Sequence, residues 1–235
     1  ISSPKLTSIE CDCELAQGAL VSLMLAAPAL NSVRQARNNR SSVYDRSTFN
    51  RASSACKDES AKLNEALANA QLWPELRRFE LLQPLSLQLS HLHRLTHLTH
   101  LSVRVSDATA IRVVTALLTR LPLLQHATIA AHADVAFSFS ADVATAGLVS
   151  LPHLRTLAID FCDENLQRQL SFPALEELTV NGCNQSAPFA RARVSLALIV
   201  ERCPQLMQLS LSRCDADFEP AISSSSTSSS SSGTL

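Results

Sequence analysis

The sequence predicts an α/β solenoid, with short parallel strands on a concave face and helices on the convex face. Three observations predict it. The stretch Cys203-Pro204-Gln205-Leu206-Met207-Gln208-Leu209-Ser210-Leu211-Ser212-Arg213-Cys214 has leucines three apart, then two apart. Period three passing into period two reads as a tight turn feeding a short strand. The pattern recurs: its last strand position falls at Leu81, Val103, Ile129, Ile159, Val180 and Leu211, with spacings of 22, 26, 30, 21 and 31 residues. Segments with helical spacing of apolar residues lie between several of the copies. A unit of one strand and one helix cannot bury its apolar face alone, so such units stack.

The copies run along the chain in order. Residues 1–13 hold a partial one, Pro4-Lys5-Leu6-Thr7-Ser8-Ile9-Glu10-Cys11, so the reading is either that an upstream part is missing or that this edge is capped in a way the sequence hides. Residues 14–30 read as a helix extending towards 37, with Leu15, Leu20, Leu23, Leu25 and Leu30 inside and Pro28 kinking or ending it. Residues 31–57 carry Arg34, Arg37, Arg40, Arg46, Arg51 and Lys57 against one acid, Asp45. So few apolar residues predict a disordered basic insertion. The repeat domain is expected over 58–221. A helix capped by Asp58 or Ser60 and running to about Gln71 opens it.

The second copy is Trp73-Pro74-Glu75-Leu76-Arg77-Arg78-Phe79-Glu80-Leu81, and the third runs from Leu95 to Val103. A helix from Asp107 to Arg120 follows, then copies at Leu121–Ile129, Leu151–Cys162 and Phe172–Cys183. Weaker helical patterns lie at 141–150 and 188–201. The serine-rich segment 222–235 is expected to be disordered.

Repeats of about 20–29 residues built on LxxLxL are the signature of leucine-rich repeats. The two LxL positions then point inward and the residues beside them outward. The outward set is Glu80, Ser102, Arg104, Thr128, Asp160, Thr179, Asn181, Ser210 and Ser212. It is the expected partner-binding surface. The prolines precede the strands, where no ladder hydrogen bond is yet required.

Seven cysteines, at 11, 13, 56, 162, 183, 203 and 214, are an odd number, and no secretory signal precedes them. They therefore argue against a disulfide framework and for a reduced compartment, cytoplasmic or nuclear. Cys162, Cys183 and Cys214 each lie three residues past a last strand position, where a thiol packs a turn as a small apolar group. Cys11 and Cys13 have no second pair nearby to complete a metal site.

His91, His93, His97 and His100 fall between the repeat leucines and read as a solvated set. No metal or other cofactor is expected. Four scattered glycines offer no phosphate loop, and no nucleophile elbow or HExxH pattern is present. The chain therefore reads as non-enzymatic. A net charge of −1 gives no general pull to nucleic acid or membrane, and no apolar run reaches bilayer length. The basic insertion reads first as a solvated linker. Its Arg37-Asn-Asn-Arg40-Ser41-Ser42 and Arg51-Ala-Ser53-Ser54 runs also suit basophilic kinases. Only Tyr44 and Phe49 interleave with its arginines, which weakens a nucleic-acid reading.

The run CPQLMQLSLSRC resembles the cysteine-containing class of leucine-rich repeats. That class is common in F-box/leucine-rich-repeat proteins, the substrate receptors of cullin–RING ubiquitin ligases. The resemblance covers residues 72–214 and 4–11. It implies protein recognition, with a ligase adaptor bound through an F-box that usually precedes the repeats. Residues 14–51 contain nothing like the LPxE start of an F-box, a departure from the family pattern, so the resemblance implies such a module upstream of Ile1 only if the chain is a fragment. A scaffold protein unrelated to ubiquitination is the alternative.

Overall fold

The computed structural model describes residues 5–11, 17–35, 53–69, 72–81, 89–105, 117–131, 149–159, 170–182 and 192–217. The fold is α/β and centres on one sheet of eight parallel strands. These are β1 (Ser8–Cys11), β2 (Ser32–Gln35), β3 (Arg78–Glu80), β4 (His100–Val105), β5 (His126–Ala131), β7 (Thr156–Ile159), β9 (Glu177–Asn181) and β11 (Gln208–Ser212). They lie side by side in chain order. Two short parallel pairs accompany them: β6 (Val149–Ser150) with β8 (Leu170–Ser171), and β10 (Ala192–Ser195) with β12 (Cys214–Asp217). Among the described residues the helices are α1 (Gln17–Leu25), α2 (Ser53–Ala68), α3 (Leu89–Leu92) and α4 (Leu196–Arg202).

Each strand is entered the same way. A buried residue anchors the chain: Ala27, Trp73, Leu95, Leu121, Leu151, Phe172 or Cys203. All but Leu95 precede a proline, which suits a turn because its φ is fixed and it has no N–H to satisfy. Three residues after the anchor comes a leucine, with Leu30, Leu76, Leu98, Leu124, Leu154 and Leu175 all buried. Two successive N–H groups then donate to one carbonyl of the preceding unit. Asn31 and Ser32 donate to Thr7, Arg77 and Arg78 to Asn31, Thr99 and His100 to Arg77, and Gln125 and His126 to Thr99. Arg155 and Thr156 donate to Gln125, Glu176 and Glu177 to Arg155, and Met207 and Gln208 to Glu176, all at 2.8–3.2 Å. These bonds set one register across the whole sheet.

In that register two rows face the core. One is Ile9, Val33, Phe79, Leu101, Ala127, Leu157 and Leu178; the other is Cys11, Gln35, Leu81, Val103, Ile129, Ile159 and Val180. Burying each large aliphatic member contributes roughly 1.5–3 kcal/mol. At the far edge this changes. Leu209 is exposed, Leu211 is half-buried, and Met207 is 78% exposed.

Several expectations need correction. The basic insertion does not begin at 31, because Ser32–Gln35 is a strand paired with both β1 and β3. Ala27-Pro28-Ala29-Leu30-Asn31-Ser32-Val33-Arg34-Gln35 enters its strand in the same way as the others and was overlooked because Gln35 takes the last core position. Gln35 is only 6% exposed. The helix before it ends at Leu25, so Pro28 marks a strand entry and kinks nothing. Leu23 and Leu25 are exposed, because a helix apolar all round gives no stripe from which to read its inner side. The next helix starts at Ser53, within the expected insertion. Residues 149–150 form a strand, and the expected helix at 188–201 is β10 followed by α4 over 196–202. Residues 36–52, the serine-rich segment 222–235, Cys13, Cys162 and Cys183 lie outside the described residues, and Cys56 falls within the helix Ser53–Ala68. Among those described, no helix is long and apolar enough to cross a membrane.

Candidate functional site

The side of the sheet opposite the core carries three rows of side chains. The register puts Glu80, Ser102, Thr128, Thr179 and Ser210 in one row, with Ala158 between the two threonines. Asn181 and Ser212 pair two residues further along their strands, and Arg104 stands at the same level on β4. The structure therefore brings seven of the nine predicted residues onto one surface; Arg104 is placed by its backbone register alone, and Asp160 lies outside the described residues. Thr128, Ser210 and Ser212 are exposed, whereas Glu80, Ser102, Thr179 and Asn181 are half-buried.

Two sets of residues on this face were overlooked. Glu10 and Arg34 extend the first row at its start, because β2 extends the sheet. A third row, Ser8, Ser32, Arg78, His100, His126, Thr156, Glu177 and Gln208, lies two residues earlier on every strand. The alternation that placed Ser102 outward places His100 outward too, so this row was legible in the sequence.

Charge is concentrated at the β1–β3 end. Arg34 Nη1 lies 2.8 Å from Glu10 Oε1, and its Nε lies 3.4 Å from Glu80 Oε2. Arg78 Nε lies 3.4 Å from Glu80 Oε1. Exposed pairs of this kind contribute about 0–1 kcal/mol each, so they orient side chains more than they stabilise the fold. From β4 onwards the middle row becomes Ser, Thr, Ala, Thr and Ser. The face is thus charged at one end and hydroxyl-rich at the other.

The histidines are not a uniformly solvated set. His91 Nδ1 lies 3.2 Å from the Asn64 carbonyl and His97 Nδ1 lies 3.0 Å from the Pro74 carbonyl. A carbonyl only accepts, so each Nδ1 carries the proton. His91 and His93 are half-buried and His97 is exposed. His100 is half-buried and stacks on His126 across β4 and β5, with ring centroids 4.4 Å apart. Thr99 Oγ1 donates to the Arg77 carbonyl at 3.0 Å and lies 2.9 Å from His100 Nδ1. That hydroxyl proton is committed, so Nδ1–H donates to Thr99 Oγ1. Burial, then the charge of Arg78, then His126 push the His100 imidazole down to about 4. It is neutral at physiological pH.

Beside this pair, at the entry ends of β2–β4, lies an open cleft of about 630 Å³. Asn31, Ser32, Arg77, Arg78, Thr99 and His100 line it, together with Ala29 and Glu75.

Among the described residues, Cys203 and Cys214 are packing groups. Cys203 is a buried anchor, equivalent to Trp73 and Phe172, and burial pushes its thiol up to about 11. Cys214 is half-buried rather than buried, and it opens β12. Its Sγ–H lies 3.3 Å from the Ser212 carbonyl and 3.6 Å from that of Val180, so it closes the end of the sheet as a weak donor. Among the described residues no three metal-ligating side chains come together. No protein-family model matches the sequence, and no curated protein or solved structure matches it.

Proposed function

We propose that this chain is a leucine-rich-repeat solenoid whose exposed sheet face binds a protein partner and catalyses no reaction. The observation supporting this reading is the alignment of outward side chains in rows across eight strands. Eight strands at about 4.8 Å spacing extend roughly 34 Å, the length of about ten residues of extended chain. Three rows on such a face offer roughly 500 Å², short of the ~800 Å² that a standard interface takes from each partner. A stable complex therefore also uses the rim, where the strand-entry turns lie.

The more specific reading is substrate recognition for a cullin–RING ubiquitin ligase. It rests on the resemblance of the cysteine-flanked repeat, with adaptor binding assigned to an upstream module. A scaffold unrelated to ubiquitination remains the second reading. Affinity capture with quantitative mass spectrometry tests both levels. Thr128→Arg, Thr179→Arg and Ser210→Arg together should strip partners that Lys62→Ala, on exposed helical surface, retains. Equal retention by both variants rejects the face. Recovery of a cullin adaptor with the full-length chain supports the ligase reading, and its absence from saturating captures favours the scaffold.

A further inference from the structure

The cleft at the entry ends of β2–β4 has a chemistry that the rest of the face lacks. Its lining is rich in donors. Arg77 and Arg78 bring two guanidinium groups, Asn31 an amide and Ser32 a hydroxyl, and Glu75 is the one carboxylate. Arg77 is exposed and has no acidic partner among the described residues. Arg78 shares Glu80 with Arg34, at 3.4 Å from each, so Glu80 already serves two guanidiniums. The carbonyls of Asn31, Arg77 and Thr99 at this edge each accept two backbone N–H groups. The backbone therefore offers little unfilled acceptor capacity here, and the side chains present donors. The cleft is open, and its Arg78 and His100 continue into the half-buried row of His126 and Thr156. A ligand seated here can run on across the strands.

We propose that this cleft holds an acidic peptide segment of a partner, its anionic group gripped by Arg77 and Arg78. Guanidinium matches a carboxylate or phosphate through paired N–H donors, and the open geometry accommodates a chain. The anion can come from Asp or Glu or from a phosphorylated residue. This inference deepens the proposal that the sheet face binds protein.

The test is fluorescence anisotropy on the full chain with two labelled hexapeptides, hexaglutamate and a peptide of alternating glycine and phosphoserine. Hexalysine is the control. The expected result is saturable, salt-sensitive binding of at least one acidic peptide and none of hexalysine. The tighter of the two identifies the anion source. Arg77→Ala should weaken binding about tenfold, as expected for loss of one charged hydrogen-bonding group. Lys62→Ala should leave it unchanged, and circular dichroism should confirm that both variants fold. No saturable binding of either peptide, or equal binding by Arg77→Ala, overturns the inference. If both peptides fail while the triple arginine variant still strips a captured partner, the acidic-segment inference falls and the binding face stands. If the triple variant also retains every partner, both fall.

Discussion

Gly182→Ala should damage the junction between β9 and β11. A Cβ at residue 182 would stand 1.9 Å from the Arg213 carbonyl oxygen and 2.8 Å from its carbon. Opening that contact to an ordinary distance means moving backbone by more than about 1 Å. The same residues hold the last rung of the sheet, since Gly182 N–H donates to the Ser212 carbonyl at 2.7 Å. Overpacking costs about 1–3 kcal/mol and the lost hydrogen bond about 0.5–1.5 kcal/mol. The stiffer unfolded chain of the alanine variant returns about 0.4–1 kcal/mol. The net expectation is a loss of about 2–3 kcal/mol, measured by urea unfolding followed by circular dichroism. Hydrogen exchange should quicken over 177–182 and 208–212 and stay unchanged over 100–105. Arg213 has φ 56°, a left-handed conformation that glycine adopts freely, so Arg213→Gly alone should be neutral or mildly stabilising. It should not rescue Gly182→Ala, because the offending atom is backbone. An alanine variant within about 0.5 kcal/mol of the parent, with unchanged exchange at 208–212, would refute the reasoning.

Other expectations follow from single residues. Trp73 has φ 57°, and its indole N–H lies 3.1 Å from the carbonyls of both Met24 and Ala27. Trp73→Phe removes that donor and some buried volume, for a loss of about 2–3 kcal/mol by chemical unfolding. As the one tryptophan in the chain, it should also emit at short wavelength until the fold opens. Cys203, with its thiol pushed up to about 11, should resist alkylation at pH 8 in the native protein and react on unfolding, as read by mass spectrometry of the labelled peptide. His100 has a folded value of about 4 against about 6.5 for a free imidazole, so the unfolded chain binds the extra proton first. Its contribution to stability should therefore be undiminished above pH 6.5 and fall as pH drops from 6.5 towards 4. An NMR titration of its ring protons should show a midpoint near 4, rising in Arg78→Ala; a midpoint near 6.5 contradicts the packing described for His100.

In the eight-stranded sheet, the strands from β3 onwards were legible because leucine spacing records burial directly. Leu101 and Val103 must both face inward, and this fixes Ser102 outward between them. β2 was not legible because Gln35 breaks the apolar pattern at a position where the fold still buries it. With β2 overlooked, the Glu10–Arg34–Glu80 ladder could not be assembled, since Arg34 joins its two acids only through the register. The stacking of His100 on His126 likewise depends on parallel pairing between units 26 residues apart. The strands of the pairs β6–β8 and β10–β12 read VS, LS, ARVS and CDAD, and none carries two large apolar residues two apart, so periodicity does not reveal them. Cys203 was readable as part of a motif, but its role emerges only beside Trp73 and Phe172, which fill the same position in other units.

Hydroxyl-radical footprinting of the protein, free and bound to a captured partner, tests the central claim most directly because it reads side-chain access residue by residue. The account predicts protection of His100 and His126 on the sheet face, with Leu23 and Leu25 on the helical side equally oxidised in both states. Protection of Leu23 and Leu25 with unchanged oxidation at the two histidines would contradict it.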